Sequence, residues 1–355
     1  MPRKRKEVPL SQRAVPELVR GKARPPLAIV LGSPAEVVHC LEALDGIEAT
    51  CDQMDLHQAE RLGAELAERQ VPARVVTAAD LWDLPAEFQS VLYLPPRGGE
   101  RELKIDMTEQ AFHILRPHGT FIVWSPYETD PFFPTLLKKI FGRVHSPNLD
   151  GERVLWCQRE GDRPRRRHEV TFQARVASGP PCRFLSRPGV FSYGRFDNGA
   201  RALAETMQVR PGDRVLDLGC GSGTNGIFAA QKAGPEGHIT FVDSNVRAIA
   251  VTEINARSNG VAAFQAEASS RVEGFDQTRF DVVLANPPYY ANSSIARLFI
   301  GRSAALLKPD GRFYLVTRQP AEVADFMMET FDTVGAILSR GYTILINGEP
   351  CDPEM

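Results

Sequence analysis

Val215-Leu216-Asp217-Leu218-Gly219-Cys220-Gly221-Ser222-Gly223 decides the reading of this chain. An apolar run of strand length enters a glycine-rich turn, and Thr224–Lys232 then reads as a helix. Glycines let backbone approach a ligand closely, and a helix N-terminus faces that ligand with free N–H groups. A G-x-G-x-G alone is shared by nucleotide sites and plain turns. Two acids sharpen it. Asp217, inside the strand end, suits a cationic amino group better than a pyrophosphate. Asp243 ends the next strand, His238–Val242, where a carboxylate receives two ribose hydroxyls.

Outward from this stretch, strands and helices alternate. Helices read at 246–258, 295–307 and 321–331, and strands at 261–266, 280–285 and 312–317. A closing hairpin is expected over 336–346 around Ser339-Arg340-Gly341. The same alternation occupies 27–124, with strands at 27–31, 74–77, 91–94 and 120–124 and helices at 56–69 and 106–115. Such alternation argues for parallel sheets covered on both faces, hence an α/β class. Between the two stretches, 161–187 is rich in Arg, Gly and Pro and reads as a basic linker with a hairpin; residues 1–24 read as a basic, disordered arm. The expected division is therefore 1–24, 25–160, 161–187 and 188–355.

The two α/β stretches are related. Residues 88–123 lie on 280–315 without a gap, with nine identities that include Phe88/Phe280, Pro95-Pro96/Pro287-Pro288 and Gly119/Gly311. Self-similarity of this kind signals duplication of one supersecondary plan. The copies differ where chemistry is expected. Asn286 meets Leu94, and the glycine loop meets only Leu31-Gly32-Ser33-Pro34. The first copy keeps the fold and lacks the site.

Asn286-Pro287-Pro288-Tyr289 follows the strand 280–285 directly. Ligands of open α/β sheets bind beyond the carboxyl ends of the strands. Asn286 supplies an amide oxygen that accepts from an –NH2 group, the prolines stiffen the turn and leave a carbonyl acceptor, and Tyr289 offers a flat face to a base. The set suits a planar nitrogen nucleophile.

Together these residues resemble class I S-adenosylmethionine-dependent methyltransferases. The resemblance implies two tandem Rossmann-like domains, the C-terminal one with a seven-stranded, mostly parallel sheet. It implies S-adenosyl-L-methionine as cofactor, with Asp217, Gly219, Cys220, Gly221 and Gly223 around its methionine part. Asp243 and Ser244 would lie at the ribose and Glu267 beside the adenine. Asn286-Pro287-Pro288-Tyr289 matches the motif of enzymes that methylate adenine N6, guanine N2 or glutamine. Pro188-Gly189-Val190-Phe191-Ser192, with Asp197 and Gly199, is similar to the bacterial ribosomal RNA guanine-N2 methyltransferases, which also carry a degenerate N-terminal copy. In those enzymes the Phe191 region closes over cofactor and base. The expected activity is methylation of a guanine N2 in ribosomal RNA, free or in a subunit. An adenine-N6 enzyme, a protein-glutamine enzyme and a non-catalytic RNA-binding assembly factor remain as alternatives.

Charge agrees with a polyanionic partner. The 355 residues carry a net charge of −2, yet residues 1–26 hold +6 and 159–187 hold +5. Arg165, Arg166 and Arg167 are the expected phosphate contacts. Six dispersed cysteines without metal spacing speak against structural zinc and disulfide scaffolds and for a reducing cytoplasm. No apolar run approaches the roughly 18 residues of a membrane span, and MPRKRKEVPL lacks a secretory apolar core. No metal is expected.

Overall fold

The structure, a computed structural model, describes residues 8–85, 87–149, 151–275, 279–287 and 294–349. The chain divides into two units, one ending at His168 and the other beginning at Glu169. In the first, a helical turn at Leu10–Gln12 and α1 (Glu17–Lys22) precede β1 (Leu27–Val30). There follow α2 (Pro34–Ala43), β2 (Ala49–Asp52), α3 (Leu56–Glu68), β3 (Arg74–Val76), a turn at Leu81–Asp83 and β4 (Phe88–Tyr93). The unit continues through α4 (Arg101–Ile114), β5 (Leu115–Ser125), α5 (Phe132–Phe141) and β6 (Arg153–Gln158). Strand order is β3-β2-β1-β4-β5-β6, with β6 antiparallel to β5. Side chains alternate across the sheet: Ala28, Val30, Val91 and Tyr93 enter one apolar layer, Leu27, Ile29, Leu92 and Leu94 the other.

The second unit opens with the hairpin β7 (Val170–Ala174) and β8 (Cys182–Ser186). Then come α6 (Asn198–Thr206), β9 (Arg214–Leu218), α7 (Thr224–Ala233), β10 (His238–Asp243), α8 (Val246–Ser258) and β11 (Phe264–Ala268). It closes with β12 (Phe280–Ala285), α9 (Ser294–Leu306), β13 (Leu307–Thr317), α10 (Pro320–Met328), β14 (Val334–Ser339) and β15 (Tyr342–Asn347). The seven strands run β11-β10-β9-β12-β13-β15-β14, and β15 is antiparallel to both neighbours. The fold class is as expected, two tandem α/β units with a seven-stranded, mostly parallel sheet in the second.

The repeat is visible in the backbone. Phe88 pairs with Leu115 and Phe280 with Leu307, and each pairing slips before it resumes at Ser90/Thr120 and Val282/Arg312. Both copies thus place the same irregularity at the same repeat position. Gly119 and Gly311 sit there for one reason. A Cβ at Gly119 would lie 2.9 Å from the Arg116 carbonyl oxygen, and one at Gly311 3.0 Å from that of Lys308.

Two boundary expectations are corrected. Residues 8–24 are not a disordered arm: Leu10, Val15, Val19 and Ala23 are buried against Leu27 and Ile29. Four apolar residues spaced four or five apart are enough to dock the segment, and the basic residues between them masked the pattern. Nor is 161–187 one linker. Residues up to His168 pack on the first unit, while Cys182 and Phe184 of the hairpin are buried in the core of the second.

Candidate active site

Leu218 of β9 pairs with Val242 of β10 and Ala285 of β12. Gly219, Asp243 and Asn286 therefore leave the sheet at one edge. That edge flanks the point where strand addition changes direction, β9 to β11 one way and β12 to β15 the other. In doubly wound sheets this switch point opens the crevice that holds a ligand.

Asp217 is buried at the end of β9, and its carboxylate accepts from the Gly226 N–H at 2.8 Å. Burial pushes its carboxyl up to about 7; the Gly226 bond opposes this and the Asp243 charge adds to it. Cys220 is also buried, and burial, then Asp243, then Asp217, push its thiol well above the ordinary value. The thiol is inert packing. Gly221 is required by crowding: its φ is +56°, and a Cβ there would lie 2.3 Å from the Phe191 carbonyl oxygen. Gly219 and Gly223 complete the turn, Gly223 as the left-handed cap of α7.

Asp243 is half-buried and therefore reachable. One carboxylate oxygen accepts from the Gly221 N–H and the other from the Asn245 N–H, both at 2.8 Å. Ser244 follows it in the turn. Glu267 lies within β11, opposite Val242 of β10, and accepts from Gln265 at 3.0 Å. Asn286 is half-buried and Pro287 buried. The Asn286 side-chain NH2 donates to an Asp197 carboxylate oxygen at 3.3 Å. Pro288 and Tyr289 lie outside the described residues.

The Phe191 side chain is 54% exposed while its backbone is pinned over the glycine loop. Four polar residues that sequence reasoning did not select hold this segment and the glycine loop beneath it. Arg247, fully buried, donates to the Pro188 carbonyl at 2.7 Å, and the Asn245 amide donates to that of Gly189 at 2.8 Å. Thr252 donates to the Gly221 carbonyl at 3.0 Å, and Asn255 donates to those of Ser222 and Leu185, both at 2.9 Å. The available signal was a helix, 246–258, with polar residues on the stripe its periodicity buries. Tyr193-Gly194-Arg195-Phe196, without a role in the sequence reading, is partly structural: the Gly194 N–H donates to Ser186 and Phe196 packs on Phe228.

In the first unit the equivalent crevice is filled. Leu94 is fully buried, and its Cβ would lie 2.9 Å from a Cβ placed on Gly32. The arginine run lies on this unit. Arg167 meets the buried Asp80 at 3.1 Å, the Arg165 guanidinium stands 5.6 Å over the Trp82 ring, and Arg163 donates to the Ile140 carbonyl at 2.7 Å. Arg165, Arg166 and Arg167 are exposed.

Comparison with known proteins agrees with this architecture. Residues 181–346 match the methyltransferase small domain family. The chain is 36% identical over 167 residues to the ribosomal RNA small subunit methyltransferase C of Shewanella loihica, covering 45% of this chain and 47% of that protein. It is 31% identical over 182 residues to the protein of the same name from Chromohalobacter salexigens, covering 46% and 53%. The chain thus spans about half the length of the curated relatives it matches. Among solved structures, the T. thermophilus 16S rRNA N2 G1207 methyltransferase, in complex with AdoMet and guanosine, superposes with a TM-score of 0.74 at 22% identity, over 94% of this chain and 91% of that one. No helix of the described residues is long and apolar enough to cross a membrane. The second unit, with its glycine turn between β9 and α7 and its seven strands closed by an antiparallel β15, is the part of the chain that matches the methyltransferase small domain family model, and the chain shares the fold of the superposed methyltransferase.

Proposed function

We propose that this chain transfers a methyl group from S-adenosyl-L-methionine to the exocyclic N2 amine of a guanine in ribosomal RNA. The observation that carries the reading is the convergence of Gly219–Gly223, Asp243 and Asn286 on one sheet edge, at the switch point of a methyltransferase fold. The names of the curated relatives support ribosomal RNA as the substrate class.

The residues fit the cofactor. A buried carboxyl that is hard to ionise, Asp217, suits a neighbouring ammonium, which relieves the cost of its charge. Asp243 offers a half-buried, acceptor-only carboxylate at the end of β10, held in place by the Gly221 and Asn245 N–H groups, and this is the chemistry that receives ribose hydroxyls. When bound, S-adenosylmethionine supplies an electrophilic methyl group on its sulfonium. The chain's own residues do the rest by positioning. The Asn286 amide oxygen and the Pro287 carbonyl accept the N–H groups of the target amine and aim its nitrogen, whose lone pair is otherwise spread into the ring. The exposed Phe191 ring covers the base, which must leave the folded RNA to reach it. Arg165, Arg166 and Arg167 hold phosphates.

The test is methyl transfer from labelled cofactor to total RNA, free protein and assembled ribosomal subunits, followed by nucleoside analysis. N2-methylguanosine is expected, and Asn286→Ala should lower turnover by orders of magnitude with cofactor binding retained. N6-methyladenosine would refute guanine and keep the enzyme class. Label on glutamine would refute RNA as the substrate. RNA binding without any transfer would leave an assembly factor.

A further inference from the structure

Under the proposed function Asn286 must present an oxygen, not its NH2, to an incoming amine. The two ends of a side-chain amide have nearly the same shape, so nothing in the steric fit of Asn286 selects between them. A flipped amide would set donor against donor. Something must therefore choose the rotamer, and Asp197 is in place to do so.

Asp197 precedes α6, and its Oδ2 accepts from the Ala200 N–H at 3.0 Å as the cap of that helix. The same oxygen accepts from Asn286 Nδ2 at 3.3 Å. An ionised carboxylate only accepts hydrogen bonds, so it pairs with the NH2 end of the amide alone. The opposite end, the carbonyl oxygen, is then turned away from Asp197. The support is firm: α6 buries Ala200, Ala202, Leu203 and Ala204 in the core of the unit. The anchor for the amide is thus fixed to packed structure instead of to a loop side chain.

We infer that Asp197 is a positioning residue that locks the Asn286 amide with its oxygen facing the target amine, and so makes the site selective for an –NH2 donor. The inference rests on the methyl-transfer reading and deepens it. Neither composition nor the glycine motif points to Asp197, which lies 89 residues from Asn286 in the chain.

The test uses two variants of the full chain that both keep a good helix cap. Asp197→Ser caps α6 but is too short to reach Asn286. Asp197→Asn can place its amide oxygen where the carboxylate oxygen stands and accept from both partners. For Asp197→Ser, kcat should fall on the order of 100-fold, the scale of misplacing a reacting group by about 1 Å. Cofactor affinity and the melting temperature should stay close to the wild type. Asp197→Asn should recover most of kcat. The Asn286 side-chain amide resonances, assigned with Asn286→Ala, should shift in Asp197→Ser and return toward wild-type positions in Asp197→Asn.

Wild-type kcat in Asp197→Ser overturns the inference, as do unmoved Asn286 resonances. Equal losses in both variants also overturn it, because charge and not acceptor placement would then matter. A fall in cofactor affinity matching the fall in kcat would assign Asp197 a structural role only. The resonances report the hydrogen bond whatever the substrate. Wild-type product found on adenine N6 would refute the guanine reading and leave the inference standing, since both targets are amine donors.

Discussion

Replacing Gly221 by Ala tests the geometry of the cofactor turn most directly. Two terms add. The residue sits at φ +56°, and a side chain in the left-handed region costs about 1–2 kcal/mol. The new Cβ would also lie 2.3 Å from the Phe191 carbonyl oxygen, about 0.7 Å inside the 3.0 Å that real Cβ contacts respect. That oxygen is backbone, and its segment is tied down by Arg247 at Pro188 and Asn245 at Gly189. Relief requires moving the segment and weakening one of these bonds, and a hydrogen bond to a charged donor is worth about 1.5–3 kcal/mol. The total is about 3 kcal/mol, or roughly 100-fold if it is expressed in cofactor affinity. Gly212→Ala is the control: its φ is +82°, but nothing lies within 4 Å of a Cβ there, so only the first term applies. The assay is cofactor calorimetry together with urea unfolding. All three tryptophans, Trp82, Trp124 and Trp156, lie in the first unit. Tryptophan emission therefore follows that unit, while far-ultraviolet circular dichroism follows both. Gly221→Ala should move the second signal and leave the first in place. Equal behaviour of the Gly221 and Gly212 variants in both affinity and unfolding would refute the crowding argument.

Other expectations follow from the same geometry. The raised Asp217 carboxyl keeps a proton in the folded, cofactor-free protein that the unfolded chain gives up near 3.8, so stability falls as pH rises from there to about 7. A bound ammonium reverses the preference, so cofactor affinity should rise over this window with release of a proton; equal binding heats at about pH 6.5 in two buffers of different ionisation enthalpy would refute this. Replacing Arg165, Arg166 and Arg167 by Gln should weaken RNA binding and flatten its salt dependence, with kcat at saturation little changed; an unaltered salt slope would remove the three from the interface. Leu94→Ala should destabilise the first unit by about 2–5 kcal/mol, read by tryptophan emission, with no gain of a second cofactor site in calorimetry.

The sequence made the second unit legible because its chemistry is local. Asp217 through Gly223 are contiguous, Asp243 ends a strand and Asn286 directly follows one, so spacing along the chain equals placement at the sheet edge. The repeat was legible because an ungapped match of strand and turn residues preserves register down to the slip after Phe88 and Phe280. The support of the site was harder to read. Arg247, Thr252 and Asn255 act across 31 to 70 residues of chain by donating to backbone carbonyls, and a carbonyl partner has no identity in the sequence. Asp197 carries no signal of its own in the sequence beyond its segment, because its second partner lies 89 residues away. The docking of residues 8–24 was missed for a different reason: sparse apolar residues among lysines and arginines look like a solvated tail until a groove receives them.

The filled crevice of the first unit has an evolutionary consequence. Leu94 is wholly buried over Gly32, at the repeat position where the second unit has Asn286. Placing an asparagine there would bury an amide in an apolar layer, about 1–3 kcal/mol uphill for an unmet hydrogen bond, before any ligand could compensate. Rebuilding the glycine turn first would open a space that Leu94 still occupies. Each single step toward a site is unfavourable without the other. The filled crevice therefore works as a ratchet: with a leucine packed at this repeat position, ordinary core stability opposes every single step that would open a site in the first unit.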